Sequence, residues 1–299
     1  ERQQATLVAA GAGAGIAAAF NAPLAGLLFA VEILLPEVSS ATLVPVALAT
    51  AAATTMGRIF LGPNPAFTIP ALSIPSPQVA NLPVLGAYAG LGLLLGVAAL
   101  AGIRGIGGLN AWLEQHIRSP YLRHAASMLV VGLLIVWSLA HLGHYYVQGV
   151  GYAPIQDILS GTLTNARLLV LLFFLKLLAT GLTLGSGGSG GIFSPSLFLG
   201  ATLGGAYAVL LGSVVPGMAV SVPAFAAAGM AGMVAGMTGA AMTTIVMIFE
   251  MTLDYNVIIP MTVTVALSYG LRRLVLRESM YTWSLIRNGR FVPETLWRR

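Results

Sequence analysis

The 299-residue sequence has no cysteine, which removes disulfides, thiolate metal sites and thiol chemistry from consideration. It is also short of charge. Charged residues make up 8% of the chain, where soluble domains carry roughly 25%. None at all occurs from Leu177 to Phe249. The four histidines, His116, His124, His141 and His144, show no metal-ligand spacing. The period-two alternation of a barrel strand is missing as well. An ordinary soluble domain, a disulfide framework and a membrane β-barrel are thereby set aside.

What is there is apolar. Hydrophobic residues make up 57% of the chain and the mean hydropathy is +0.89. About 20 apolar residues cross a bilayer core as a helix, and such runs recur at 6–34, 41–61, 83–103, 124–143, 166–184, 193–215, 223–250 and 256–274. The expected fold is an all-α polytopic membrane protein in contact with lipid. Gly and Pro interrupt several runs, notably at Asn21-Ala22-Pro23 and within 185–195. Irregular backbone at membrane depth persists where protein or a water-filled cavity satisfies it, which fits a transport site as well as a packed kink.

The net charge of +5 sits in short loops and the tail, and with no basic–aromatic surface nucleic-acid binding is not implied. The stretch 62–82 holds five prolines and no charge, whereas 104–123 carries Arg104, Arg118 and Arg123, and the C-terminal segment carries Arg272, Arg273, Arg277, Arg287, Arg290, Arg298 and Arg299. The positive-inside rule predicts an external first loop and a cytoplasmic second loop and C-terminus.

The segment with the most to explain is "GSGGSGGIFSP", residues 185–195. Ser194 and Pro195 suit the first turn of a helix, so the amides of Ile192 and Phe193 stand at a helix N-terminus, which attracts anions. Gly190 and Gly191 let backbone approach an ion without Cβ atoms in the way, and partial charges bind weakly enough to release it. Small residues also serve close helix packing, as in Gly200-x-x-x-Gly204 and Gly232-x-x-x-Gly236. Both readings stand at this point.

Two stretches, "GAGIAAAFNAPLAGLLFAVE" (13–32) and "AGMVAGMTGAAMTTIVMIFE" (231–250), each run small residues into an apolar stretch ending in Glu, a faint repeat of the kind found in transporters. Glu32 and Lys176 are ionisable groups within spans, and such groups are functional candidates by default. Lys176 either raises the local positive potential or pairs with Glu32 or Glu250.

Together, "GAGAGIAAAFNAPLAGLLFAVEILLPE", "GSGGSGGIFSPSLFLGATLGGAYA", "AGMAGMVAGMTGAAMTTIVMIFEMTLDYNVIIPM" and "ESMYTWSLIRNG" resemble, in order and over essentially the whole chain, the CLC family of chloride channels and proton/chloride exchange transporters. The resemblance implies an inverted-repeat helical bundle with broken helices, a homodimer in which each subunit holds its own anion path, and no cofactor. It implies chloride held by the amides of Ile192 and Phe193, with the Tyr281 hydroxyl aimed at the same ion. The dimer face would use parts of 13–62 and 231–274. The family's G-S-G-x-P and G-R/K-E-G-P segments do not occur, so residues 1–299 are expected to be a partial CLC transmembrane domain lacking N-terminal helices. No soluble regulatory domain is visible, which fits a bacterial protein of the inner (plasma) membrane. Ile33 stands where proton-exchanging members carry a glutamate, with Glu32 just before it. Neighbours on a helix point about 100° apart, so Glu32 is no simple substitute, and a structural carboxylate matched by Glu250 is the plainer reading.

Two rivals come from other classes. Gly187-Gly188-Ser189-Gly190-Gly191 satisfies G-x-S-x-G, but no histidine follows Ser189, which counts against an intramembrane serine protease. A non-transporting remnant or scaffold is the other. The expected function is chloride or small-anion movement without covalent chemistry, as a channel or an exchanger.

Overall fold

The computed structural model describes residues 2–35, 37–64, 67, 82–218, 220–253 and 255–287. Most of the proline-rich 62–82 loop and the terminal arginines Arg290, Arg298 and Arg299 lie outside the described residues. Among the described residues all regular structure is helical: α1 (Arg2–Phe20), α2 (Pro23–Phe29) running into a π-turn segment (Ala30–Leu34), α3 (Ser40–Leu61), α4 (Leu82–His116), α5 (Pro120–Leu142), α6 (Tyr152–Leu159), α7 (Ala166–Gly185), α8 (Phe193–Val214), α9 (Val222–Thr238), α10 (Ala241–Thr252), α11 (Ile258–Val275) and α12 (Met280–Arg287). Six segments among them are long and apolar enough to cross a membrane. The molecule is an all-α polytopic membrane protein with broken helices.

α9 sits at the centre, buried without a break from Ala224 to Thr238. A helix that is apolar all round belongs inside, and its Ala, Gly and Met residues let α4, α8 and α11 close on it. The glycine pairs read from the sequence make these contacts: Gly200 meets Gly229 backbone, Gly204 meets Phe225 backbone, Gly232 lies against Leu95 and Thr264, and Gly236 against Ala99 and Ser268. Outside, α5 exposes Leu129, Leu133 and Val136, and α3 exposes Val44, Leu48 and Phe60, as lipid-facing helices do.

Two apolar runs are divided, the first at the Asn21-Ala22-Pro23 interruption read from the sequence and the second where an unbroken span was expected. The 6–34 run breaks at Asn21, where φ is +53°, and the 223–250 run breaks at Gly239, where φ is +86°. Set in register, the two quoted repeat stretches bring Asn21 opposite Gly239, Pro23 opposite Ala241 and Glu32 opposite Glu250. The geometry obeys that register. Glu250 accepts from the amides of Leu24 (3.1 Å) and Ala25 (2.9 Å) at the start of α2. Glu32 accepts from Met242 (2.9 Å) and Thr243 (2.8 Å) at the start of α10, and from the Thr243 hydroxyl at 2.6 Å. Each short helix thus ends in the carboxylate that caps the other, an inverted-repeat packing in which charge meets the positive end of a helix dipole.

A second expectation is corrected. The sequence placed a loop at 104–123, but α4 continues to His116, leaving residues 117–119 as the connection. Gly107 within it lets the indole of Trp283 lie against the backbone. With its amide oriented to satisfy both its atoms, Asn110 donates to the Gly185 carbonyl at 3.1 Å. These glycines mark close approach, not a turn.

Candidate functional site

The run of small residues divides into two parts with different work. α7 ends at Gly185, and Gly187 takes φ +87°. Its N–H bonds to the Leu184 carbonyl (3.2 Å), and that of Gly188 to the Thr183 carbonyl (3.0 Å). This is a Schellman closure, which uses Gly because a left-handed residue must follow the helix. A Cβ on Gly188 would strike the Thr183 carbonyl at 2.7 Å. Beyond it, Gly190 and Gly191 are exposed, and no described residue comes within 4 Å of where a Cβ on Gly191 would stand. Both line a cavity of about 300 Å³ whose wall also includes Lys176, Thr180, Thr183 and Ser194.

α8 begins beside that cavity. Its N-cap is Ile192, and among the described residues no side chain caps the terminus. Ser194 lies inside the first turn, as its residue type indicated. Ser196 turns back to the Ile192 carbonyl at 2.7 Å. The first amides of an α-helix have no intrahelical partner, so those of Ile192 and Phe193 belong to a terminus held open.

The aromatic side chains bring Tyr281 to this place. Phe193 meets Phe29 edge-on at 6.3 Å between centroids, and Phe29 meets Tyr281 edge-on at 6.3 Å. Ile192 is buried in a cluster against which Tyr281, Met280 and Trp283 pack. Residues far apart in sequence, Ile192, Phe193 and Tyr281, therefore converge. Phe29, which bridges them, was not singled out from the sequence, where it reads as one more apolar residue of a span.

Lys176 is 3% exposed. Its ammonium donates to the carbonyls of Val147 (2.9 Å) and Gly149 (2.6 Å) and lies 5.2 Å from the centre of the Phe198 ring. The partners weighed for it, Glu32 and Glu250, are occupied in capping α10 and α2. Thr180 and Thr183 follow Lys176 by four and seven residues, a helix-face spacing that would have flagged them beforehand. Ser189, the protease candidate, is exposed. The histidine of this region, His124, lies with Nδ1 3.2 Å from the hydroxyl of Ser186.

The fold and the site define a polytopic membrane protein of broken helices, with one helix terminus beside a cavity that holds a buried lysine. Residues 1–273 match the voltage gated chloride channel family, and the chain belongs to that family. It is 35% identical over 286 residues to a ClcB-like protein of Ralstonia nicotianae, covering 94% of this chain and 63% of the relative. It is 32% identical over 265 residues to the H(+)/Cl(-) exchange transporter ClcA of Vibrio parahaemolyticus, covering 87% and 54%. Among solved structures, a slow cyanobacterial Cl-/H+ antiporter superposes with a TM-score of 0.82 at 28% identity, over 95% of this chain and 64% of that one. The chain thus spans less than two thirds of the length of these relatives.

Proposed function

We propose that the protein moves small anions, chiefly chloride, across a bilayer along a path that passes the N-terminus of α8. The observation that carries this is the uncapped terminus at Ile192, opening beside a cavity whose buried cation is Lys176. Stripping water from an anion costs tens of kcal/mol by the usual solvation estimate, and oriented amides repay that without binding too firmly. In this reading the amides of Ile192 and Phe193 and the hydroxyl of Tyr281 bind the ion. Gly190 and Gly191 keep its approach clear, and Lys176 raises the potential in the cavity. Glu32, with both oxygens committed to α10, is a structural carboxylate more than a proton carrier.

Residues 1–299 act as one transmembrane unit, within a homodimer whose face draws on parts of 13–62 and 231–274. The excess of arginine after α11 supports a cytoplasmic C-terminus, in a plasma (inner) membrane. The test is chloride efflux from liposomes containing the protein, with proton flux recorded in parallel. Coupled proton uptake marks an exchanger, and chloride flux without it a channel. Absence of chloride flux from folded protein, with and without a membrane potential, refutes the proposal.

A further inference from the structure

We propose that Arg272 is a positioning residue that fixes where α12 begins and so where the Tyr281 hydroxyl stands; this rests on the reading of Tyr281 as an anion-facing group. α11 presents Thr264, Ser268 and Arg272 four residues apart, on one face. The Thr264 hydroxyl donates to the Tyr88 carbonyl of α4 at 3.1 Å, and that of Ser268 to the Gly232 carbonyl of α9 at 2.8 Å. Arg272 Nε continues the row to the Gly236 carbonyl, in the last turn of α9, at 2.9 Å.

Arg272 then does what the two hydroxyls cannot. Its Nη1 reaches the carbonyls of Leu276 (3.4 Å) and Arg277 (3.2 Å), in the linker between α11 and α12. One guanidinium therefore ties the end of α9 to the segment that delivers Tyr281. The group is 2% exposed, and Gly239 leaves room for it: a Cβ there would stand 3.2 Å from Nη2. Burying a charge is costly, and apolar residues commonly fill such space more stably. The planar five-donor fork of arginine, by contrast, can serve acceptors on two elements at fixed angles.

Downstream of the linker little slack remains. Ser279 and Thr282 cap one another's backbone, with Ser279 N donating to Thr282 Oγ1 at 2.9 Å and Thr282 N to Ser279 Oγ at 3.4 Å. Trp283 is lodged against Gly107. A shift of residues 276–277 is therefore passed to Tyr281, and through Phe29 it changes the spacing to Phe193.

The experiment places a fluorotyrosine at position 281 and records its ¹⁹F resonance in purified protein during a chloride titration. Arg272→Lys keeps the charge but not the fork, and Arg272→Gln keeps one donor group. Both are expected to move or split the chloride-free resonance and to weaken chloride binding roughly tenfold, the scale of one misplaced hydroxyl donor. Ser268→Ala, which touches α9 but not the linker, should lower stability and leave the resonance in place. Wild-type resonance and chloride affinity in Arg272→Lys overturn the proposal. Should both arginine variants fail to fold, Gly239→Asn, whose Cβ crowds Nη2 while asparagine tolerates the left-handed backbone there, is read by the same two outcomes. A wild-type resonance indifferent to chloride would instead sink the anion reading of Tyr281, while the chloride-free shifts still decide the positioning role.

Discussion

Adding one methyl group at Gly200 should be among the more damaging small changes in this protein. A Cβ there would lie 2.6 Å from the carbonyl carbon of Gly229 and 2.6 Å from the Cα of Met230. Carbon atoms in contact settle at about 3.5–4.0 Å, so α8 and α9 must part by about 1 Å. A gap of that size forfeits roughly a quarter to a half of the dispersion energy of the pairs it separates. The side chains beside the crossing, Leu197, Ala201, Ala226 and Met230, are all buried. Overpacking costs about 1–3 kcal/mol, and with backbone on the far side the upper value, about 3 kcal/mol, applies. At roughly 2–4 °C per kcal/mol for a chain of this size, Gly200→Ala should melt roughly 6–12 °C below wild type. The assay is thermal unfolding in detergent, followed by circular dichroism. Gly191→Ala is the matched control, since its methyl group enters open space and should cost less than about 0.5 kcal/mol. Equal melting of Gly200→Ala and wild type, or an equal loss in Gly191→Ala, refutes the packing argument.

Gly191→Leu should fold like wild type and yet abolish chloride efflux from liposomes, because its side chain fills the cavity beside α8. Glu250→Gln and Glu32→Gln each remove a charge from a helix N-terminus. Each should cost about 1–2 kcal/mol, with an additive double variant, since the two caps serve opposite ends of the α2–α10 pair; thermal melts check this. Lys176→Met should lower chloride flux several-fold at low chloride and less at saturation, measured as initial efflux rates. Ser189→Ala should keep most of the flux in the same assay, whereas a hydrolase would lose all activity.

Much of this architecture was legible from composition and spacing, for physical reasons that also mark where the reading failed. Apolar runs of membrane length identify helices directly, and Asn21-Ala22-Pro23 announced its break because proline stops the preceding helix. The length of α4 was hidden, since Gly105, Gly107 and Gly108 beside Arg104 carry the composition of a turn. Only the Trp283 ring, far along the chain, shows why Gly107 stays helical. The seven small residues from Gly185 to Gly191 were likewise uniform in sequence. Their division into a helix closure and a cavity wall depends on Gly187 being left-handed, and letter patterns do not encode φ. The partners of Lys176 were missed for a similar reason. Backbone carbonyls in 147–149 satisfy it, and a sequence shows carboxylates far more plainly than it shows which carbonyls are free. The faint repeat was worth more than its identities suggested, because it preserved the break and the terminal glutamate and little else.

The exchange of caps between Glu32 and Glu250 has a consequence for how the protein is made. The carboxylate that completes the start of α2 is 226 residues further along the chain. At ribosomal speeds of about 5–20 residues per second, that interval lasts roughly 11–45 s. Through it, the nascent first repeat lacks both the carboxylate that caps α2 and the amides that receive Glu32. Neither half reaches its final state alone, and the second repeat completes the first on arrival. The pairing of these two glutamates is therefore set by the order and rate of synthesis as well as by the final packing.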